Sequence, residues 1–250
     1  MSKFISKLVL IFIILQPFIA NAQNQVEPMK YLEASDKFRG GFAQGIQWNV
    51  DLKSIDDEVE SNKSFLVKAK GDKAIVDTLK PTRNKGEIYL FNDRSMWFYK
   101  PSLKKPVSIS SREKMSGQAA NGDIASTHYA RDYNPAYEKT IQLNGKNVVV
   151  LFLTAKNKQV TYDKIRYFLD EKTKIALKAE FLTLQGEIFK SAEFEYNNKI
   201  KDESGQMITF ISKMTITDAK NKTNQSVMTY SNAMAQSISD NLFNINNLSR

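Results

Sequence analysis

The chain has 250 residues, a formal net charge of +9, a single histidine and no cysteine. Without cysteine there is no disulfide framework, no thiolate nucleophile, no cysteine metal site and no residue for lipid attachment. A basic chain of this size favours nucleic acid, anionic lipid or an acidic partner. The lysines are scattered through the sequence rather than collected in a run, which argues against a nucleic-acid groove.

Residues 1–22 have the pattern of a cleaved signal peptide. Lys3 and Lys7 precede an apolar run that ends in Ala-Asn-Ala, which predicts cleavage before Gln23. The run is shorter than the roughly 20 residues of a membrane-spanning helix, so an uncleaved anchor is the less favoured alternative. An exported chain without cysteine is typical of a bacterial periplasm. We therefore expect residues 23–250 to form one periplasmic domain.

The first element of the mature chain is a predicted helix from Glu27 to Phe38, which ends before Gly40-Gly41. After it, period-two alternation predicts strands with one buried face. Polar turn residues separate these strands, so consecutive strands are expected to form an antiparallel meander. The side chains predicted to point inward along them are Ile46, Trp48, Val50 and Leu52, then Ile165, Tyr167 and Leu169, then Ile175, Leu177, Ala179 and Phe181, then Ala192, Phe194 and Tyr196, and finally Ile208, Phe210, Met214 and Ile216.

Two predicted strands are apolar on both faces. The strand from Arg94 to Tyr99 carries Trp97 and Tyr99 on one face, and the strand from Val148 to Leu153 has no polar side at all. Strands of this kind are covered on both sides. We therefore expect helices or another segment over their second face.

A polar segment from Lys100 to Gly122 is followed by a possible covering element. Asp123 is expected to cap a short helix that runs to about Ala130, and Asp240 to Asn244 is expected to form a terminal turn. A long sheet with so few helices predicts a mainly β protein, with a strongly curved antiparallel sheet that forms an open, incomplete barrel under helical lid elements. A Greek-key sandwich also fits the strand count.

The stretch from Pro81 to Tyr133 carries a family resemblance. Its marks are Pro81 with Arg83, Gly86, the Trp97-x-Tyr99-x-Pro101 strand, Val107 with Ile109, and Gly122 with Asp123. This order resembles the periplasmic outer-membrane lipoprotein-sorting proteins, whose fold is the open β-barrel of the LolA and LolB carriers. The resemblance implies a lid over an apolar cavity, and an inner arginine that holds the lid closed, which here corresponds to Arg83.

Aromatic and methionine side chains are abundant, with 15 Phe, 10 Tyr and 8 Met. A half-barrel too wide to be filled by its own side chains leaves room for acyl chains. The alternative is an ordinary core. The residues predicted to line the cavity or hold its lid are Arg83, Trp97, Tyr99, Trp48, Phe91, Phe181, Phe194, Phe210 and Asp123.

Catalytic and metal-binding patterns are sparse. His128 is the only histidine and stands without a Gly-x-Ser-x-Gly elbow or a clear carboxylate cluster. We therefore predict no enzyme activity, no cofactor and no metal. The resemblance implies a monomeric periplasmic carrier that takes acyl chains of lipoproteins, or a related amphiphilic lipid, from an inner-membrane transporter to an outer-membrane acceptor. The alternatives are a non-carrier lipid or hydrophobic-ligand sensor beside a lipid exporter, a hydrolase, and a structural protein with a filled core.

Overall fold

The structure is a computed structural model that describes residues 26–125, 128–202 and 204–248. The predicted signal peptide lies outside the described residues. Within them, no helix is long and apolar enough to cross a membrane.

The described residues form two α-helices and seventeen strands, with four short 3₁₀ turns between them. The helices are α1 (Pro28–Lys37) and α2 (Tyr129–Asp132), and the 3₁₀ turns are Thr82–Asn84, Asn121–Ile124, Asp240–Phe243 and Ile245–Asn247. The strands are β1 (Ile46–Asp56), β2 (Val59–Lys70), β3 (Lys73–Lys80), β4 (Ile88–Asn92), β5 (Ser95–Tyr99), β6 (Val107–Ile109), β7 (Lys114–Ser116), β8 (Ala119–Ala120), β9 (Tyr133–Leu143), β10 (Lys146–Ala155), β11 (Lys164–Asp170), β12 (Ala176–Leu182), β13 (Ile188–Glu195), β14 (Asn198–Lys201), β15 (Met207–Phe210), β16 (Lys213–Asp218) and β17 (Gln225–Ala235).

Thirteen of these strands form one antiparallel sheet. Its order is β6-β5-β4-β3-β2-β1-β17-β16-β13-β12-β11-β10-β9. Two meanders, one from each half of the chain, are joined where β1 pairs with β17, and β6 and β9 remain as edges. The hairpin of β14 and β15 lies outside this sheet, between β13 and β16 in sequence. This topology confirms the predicted open, mainly antiparallel fold.

The main core lies on the inner face of the sheet. Side chains from distant strands, such as Met96 on β5 and Leu153 on β10, belong to one buried cluster, which requires the sheet to curve around it. The alternation predicted for the first strand is confirmed, since Ile46, Trp48, Val50 and Leu52 are all buried in this cluster. Period-two sequence pattern and curvature together produce a half-barrel with an apolar interior.

The outer face of β5 is covered by the end of the described chain. Trp97 and Tyr99 pack against a second cluster that includes Phe243, from the first terminal 3₁₀ turn, and Leu248, directly after the second. The expectation that Trp97 and Tyr99 line the cavity is therefore wrong in this structure, because the inner face of β5 carries Met96 and Phe98 instead. The predicted terminal turn is confirmed, and it supplies the cover.

The second two-faced strand, β10, has a smaller outer cluster. Val148 and Val150 pack with Phe168 there, and Leu177 joins them from β12. Leu177 was predicted to point inward together with Ile175, but β12 changes register opposite Leu169. This irregularity turns Ala176 inward and Leu177 outward. Side chains of neighbouring strands, rather than a helix, cover this face.

The inner face is closed by the lid segment, which we define as residues 110–125 and 128–132. It contains the small β7–β8 hairpin, a 3₁₀ turn and α2. Its underside contributes Met115, Ala119, Ile124 and Tyr129 to the main core. Asp123 lies within the 3₁₀ turn Asn121–Ile124, not at the N-cap of a longer helix as predicted.

Candidate functional site

An open groove lies where the lid segment meets the ends of β11, β12 and β13. Its volume is about 520 Å³, within the roughly 300–1,000 Å³ typical of small-molecule sites. Leu182 and Phe189 contribute to its wall, and Leu184 projects from the β12–β13 turn with 65% of its surface exposed. The rest of the lining is mostly polar and includes Arg112, Asp163 and Lys190. The groove is therefore mostly apolar in its exposed surface, with charged groups of both signs in its lining.

The inner end of the groove is formed by Tyr162. Its ring stacks on Phe181 with the centroids 3.8 Å apart and lies 6.2 Å from the ring of Phe189. The Tyr162 hydroxyl donates to the carboxylate oxygens of Asp123 at 3.0 and 2.8 Å, and Asp123 also accepts the Ala120 N–H at 2.8 Å. Tyr162 lines the groove while Asp123 lines an interior cavity. This hydrogen-bonded pair is therefore the partition between the two spaces.

The interior cavity is small. It has a volume of about 10 Å³, room for about one water molecule. It is bounded by Arg39, Trp48, Asp123, Tyr230 and their neighbours. The expectation of a lipid-sized cavity inside the half-barrel is thus wrong for this closed arrangement, because side chains fill the interior. The larger open volume lies in the groove.

Arg39 is a buried cation behind the partition. It follows α1 and is only 6% exposed. Its guanidinium carbon lies 4.7 Å from the ring centroid of Tyr129 and 5.1 Å from that of Phe194, and its Nη1 donates to the Tyr167 hydroxyl at 3.4 Å. An arginine stays protonated in proteins. The two aromatic faces and the Tyr167 hydroxyl therefore contribute to stabilising this charge.

Asp36 connects α1 to the lid segment. Its two carboxylate oxygens accept the backbone N–H groups of Tyr129 and Ala130 at 3.0 Å each, at the start of α2. Burial raises the pKa of Asp36 to about 7, although these two hydrogen bonds and the nearby Arg39 act in the opposite sense. Burial likewise raises the pKa of Asp123, against the hydrogen bonds from Ala120 and Tyr162. The interior thus holds two carboxyl groups with a reduced tendency to ionise.

Polar contacts attach the other end of the lid segment to the sheet. Arg112 makes a bidentate pair with Asp163 at 2.9 and 2.7 Å, and its Nε donates to the Val160 carbonyl at 2.8 Å. The Lys190 ammonium donates to the Gln118 carbonyl at 2.7 Å. These contacts are partly open to solvent, so each contributes little to stability. The lid segment is held at its rim by bonds that water can replace.

Gly117 allows the tip of the lid segment to approach the sheet. Its φ is +54°, and a Cβ at this position would lie 2.6 Å from the Cβ of Ser54 and 2.7 Å from the hydroxyl of Ser226. The Ser226 hydroxyl in turn accepts the Gln118 N–H at 2.8 Å. A side chain at position 117 is therefore excluded both by conformation and by space.

The structure brings together most of the aromatic residues that the sequence predicted for the interior. Trp48, Phe91, Phe181, Phe194 and Phe210 all belong to the main core. Phe181 lies under the groove through its stacking partner Tyr162, and Phe194 lies beside Arg39. Their contact with a ligand stays a prediction.

Arg83 does not occupy the predicted inner position. It lies on the exposed 3₁₀ turn between β3 and β4. Arg39 is the arginine in the interior, and the sequence analysis missed it because Arg39-Gly40-Gly41 follows a helix and is typical of a surface turn. The one signal available was Phe38, an apolar neighbour at the helix end. Tyr162 was also missed, since it lies in a loop without period-two alternation.

His128 lies within the lid segment, directly before α2, and does not line the groove. Its pKa is lowered by burial and by the neighbouring Arg131. Among the residues that the structure describes, no group of three or more His, Asp or Glu side chains is placed to hold a metal ion.

An open antiparallel half-barrel with a lid segment across its inner face is the LolA-like fold, and solved structures agree. A LolA superfamily protein from Nitrosomonas europaea is 27% identical, with a TM-score of 0.79 over 89% of this chain and 99% of its own. A putative outer membrane lipoprotein-sorting protein domain from Vibrio parahaemolyticus is 22% identical, with a TM-score of 0.73 over 89% and 98%. A DUF1329 family protein from Desulfovibrio piger, 18% identical, has a TM-score of 0.73 over 88% and 97%.

The resemblance to the lipoprotein-sorting proteins is thus confirmed for the fold. A protein-family model described only as an uncharacterized protein matches residues 70–250, so the chain belongs to that family. None of the curated proteins matches the chain.

Proposed function

We propose that this protein binds acyl chains of lipoproteins, or of a related amphiphilic lipid, in the groove and beneath the lid segment. The observation that carries the proposal is the apolar groove of about 520 Å³, which ends at the aromatic stack of Tyr162 and Phe181. Displacing the lid segment would extend the groove toward Arg39 and the aromatic interior. The acyl chain would then replace the underside of the lid segment as the cover of the core.

The energetics fit reversible binding. Each buried methylene gains roughly 0.8 kcal/mol, so six methylenes supply about 5 kcal/mol before the cost of moving the lid segment. The rim contacts of the lid segment are partly solvated and each is weak. A ligand can therefore open the site without any covalent step, and we propose no enzyme activity.

We further propose a periplasmic carrier role. The solved relatives named above include a putative outer membrane lipoprotein-sorting domain, and the predicted signal peptide agrees with export. In this role a monomer would receive its cargo from an inner-membrane transporter and deliver it toward an outer-membrane acceptor. These partners come from the family resemblance, which supports the proposal at the level of fold.

The first test is native mass spectrometry and lipid extraction on the protein purified from its own periplasm, followed by uptake of hexadecanol, an uncharged acyl ligand. A carrier is expected to bind acyl material at about one ligand per chain. Phe189→Asp, which puts a charge in the groove wall, should weaken hexadecanol binding about tenfold or more. The matched control is Tyr137→Asp, at an exposed ring on β9. Absence of uptake by the unmodified protein contradicts the proposal.

A second candidate function is a non-carrier sensor for one amphiphile. The buried charge of Arg39 favours it, because a fixed cation selects among ligands more strongly than an apolar wall does. Lipid profiling of the purified protein separates the two candidates. A carrier should hold a range of acyl chains, whereas a sensor should hold one species.

A further inference from the structure

The most unusual interior group is the charge on Arg39. A buried charge is costly unless it is paired and hydrogen-bonded. Arg39 is 6% exposed, and among the described residues none of the ion pairs includes it. Its guanidinium donates to the Tyr167 hydroxyl at the long distance of 3.4 Å and also interacts with the Tyr129 hydroxyl, and both partners are neutral groups. A cation in this state is a candidate to bind an anion that is not part of the protein.

The nearest carboxyl groups are already occupied by other donors. Asp36 accepts two backbone N–H groups of α2, and Asp123 accepts the Tyr162 hydroxyl and the Ala120 N–H. Burial raises the pKa of both carboxyl groups, which weakens their ability to balance the charge of Arg39. The guanidinium of Arg39 therefore has no carboxylate within salt-bridge distance among the described residues.

The position also lies on the route inward from the groove. Arg39 lines the small cavity, Asp123 lines it too, and Asp123 is bonded to Tyr162 in the groove wall. This pair, with the 3₁₀ turn that carries Asp123, therefore connects the lining of one space to the lining of the other. When that turn moves, a group that enters from the groove meets the guanidinium of Arg39.

We propose that Arg39 binds the anionic head, a carboxylate or a phosphate, of an amphiphile whose acyl chain lies in the groove. The guanidinium has a planar fork of donors that suits either oxyanion. The rings of Tyr129 and Phe194 lie against the cation at the position that the anion would share. This inference rests on the proposed acyl-binding function and adds the chemical class of the ligand.

The test compares three ligands of equal chain length, each below its aggregation concentration: palmitate, hexadecyl phosphate and hexadecanol. Affinities are measured by displacement of a fluorescent acyl probe at constant pH. A charge-assisted hydrogen bond in a buried site predicts that at least one of the two acids binds about 10- to 100-fold more tightly than the alcohol. The two acid arms separate a fatty acid from a phosphate-headed lipid as the source of the anion.

Arg39→Met should abolish this preference while retaining affinity for hexadecanol, and Arg39→Lys should retain part of it. The matched control is Arg166→Met, because Arg166 lies on the opposite face of the sheet and pairs with Glu138 and Glu180. This control should leave the preference unchanged.

Equal affinity of the unmodified protein for acids and alcohol overturns the inference, whether or not Arg39→Met folds. Arg39→Met that keeps the preference also overturns it and would leave Arg39 as a packing residue of the closed form. In both cases bound hexadecanol would still support the proposed function. If none of the three ligands binds, the proposed function itself fails.

Discussion

The sheet and the lid segment are held in different ways. Strands of the sheet are joined by long backbone ladders, such as the one that pairs β1 with β2 from Ile46 to Asp56. The lid segment has only the short β7–β8 ladder of its own and contacts the sheet chiefly through side chains. Local stability follows the density of buried contacts and protected hydrogen bonds. We therefore expect the lid segment to open while the sheet remains folded.

The largest predicted loss of stability comes from a substitution in the core under the sheet. Trp48→Ala removes a ring that is 1% exposed in the main core, where it packs edge-on against Phe210. The loss of unfolding free energy is expected to be about 3–5 kcal/mol. The indole Nε1 has no hydrogen-bond partner among the described residues, which places the loss near the lower end. Urea unfolding followed by circular dichroism measures it.

The matched control for that variant is Trp97→Ala. Trp97 lies half-buried on the outer face of β5, under the terminal 3₁₀ turns. We expect a clearly smaller loss, because less of the ring is removed from water. Equal losses for the two tryptophans would contradict the assignment of inner and outer faces.

The second prediction concerns the pH dependence of stability that Asp36 causes, where α1 is hydrogen-bonded to the lid segment. The pKa of Asp36 is raised to about 7, above its ordinary value of 3.8. The folded state therefore binds the proton more tightly than the unfolded state, so this group adds stability at low pH that is lost as the pH rises from about 4 to 7. Relative to Asp36→Asn, the unmodified protein should gain up to about 4 kcal/mol as the pH falls through that range.

Thermal unfolding at several pH values tests this prediction. Glu33→Gln, on the exposed face of the same helix, is the control and should show no comparable pH-dependent difference. A difference between Asp36→Asn and the unmodified protein that stays constant from pH 4 to 8 would rule out the predicted proton linkage.

The smallest predicted loss of stability comes from a substitution in the lid segment. Gly117→Ala places a Cβ 2.6 Å from the Cβ of Ser54 and at a positive φ. We expect a loss of about 1–3 kcal/mol, the usual range for overpacking. Hydrogen exchange should then rise in the lid segment and not in β1 or β17. Gly71→Ala has no atoms within 4 Å of the added Cβ and controls for the positive φ alone.

Period-two alternation predicted the sheet because the apolar residues of a strand with one buried face recur at every second position. The inner face of β1, with Ile46 and Trp48, could be read directly. Alternation gave no answer for β5, where both faces are apolar. The face with Trp97 and Tyr99 is covered by Phe243 and Leu248. These two residues lie far along the chain, and nothing in the sequence around them indicates that they contact β5.

The site was harder to predict than the sheet because its polar groups meet across long sequence distances. Arg39 lies among Tyr129, Tyr167 and Phe194, from three separate parts of the chain. Nothing near Arg39 in sequence indicates burial except Phe38. Arg83 has the family context yet is exposed, because the chain forms a short 3₁₀ turn there. Local pattern identified the motif, but tertiary contacts determined which arginine lies inside.

The pairing of β1 with β17 has a consequence for the order of assembly. Ile46 lies opposite Ala235 in the register, so within the described residues the backbone ladders of the two meanders are joined through strands near the two ends of the fold. During synthesis, β1 at the edge of the first meander cannot pair until β17 has been made. Contacts of such long range slow folding, and until they form β1 is an edge available to other strands. A chain shortened before β17 would leave that edge unpaired and should be prone to associate with its own copies.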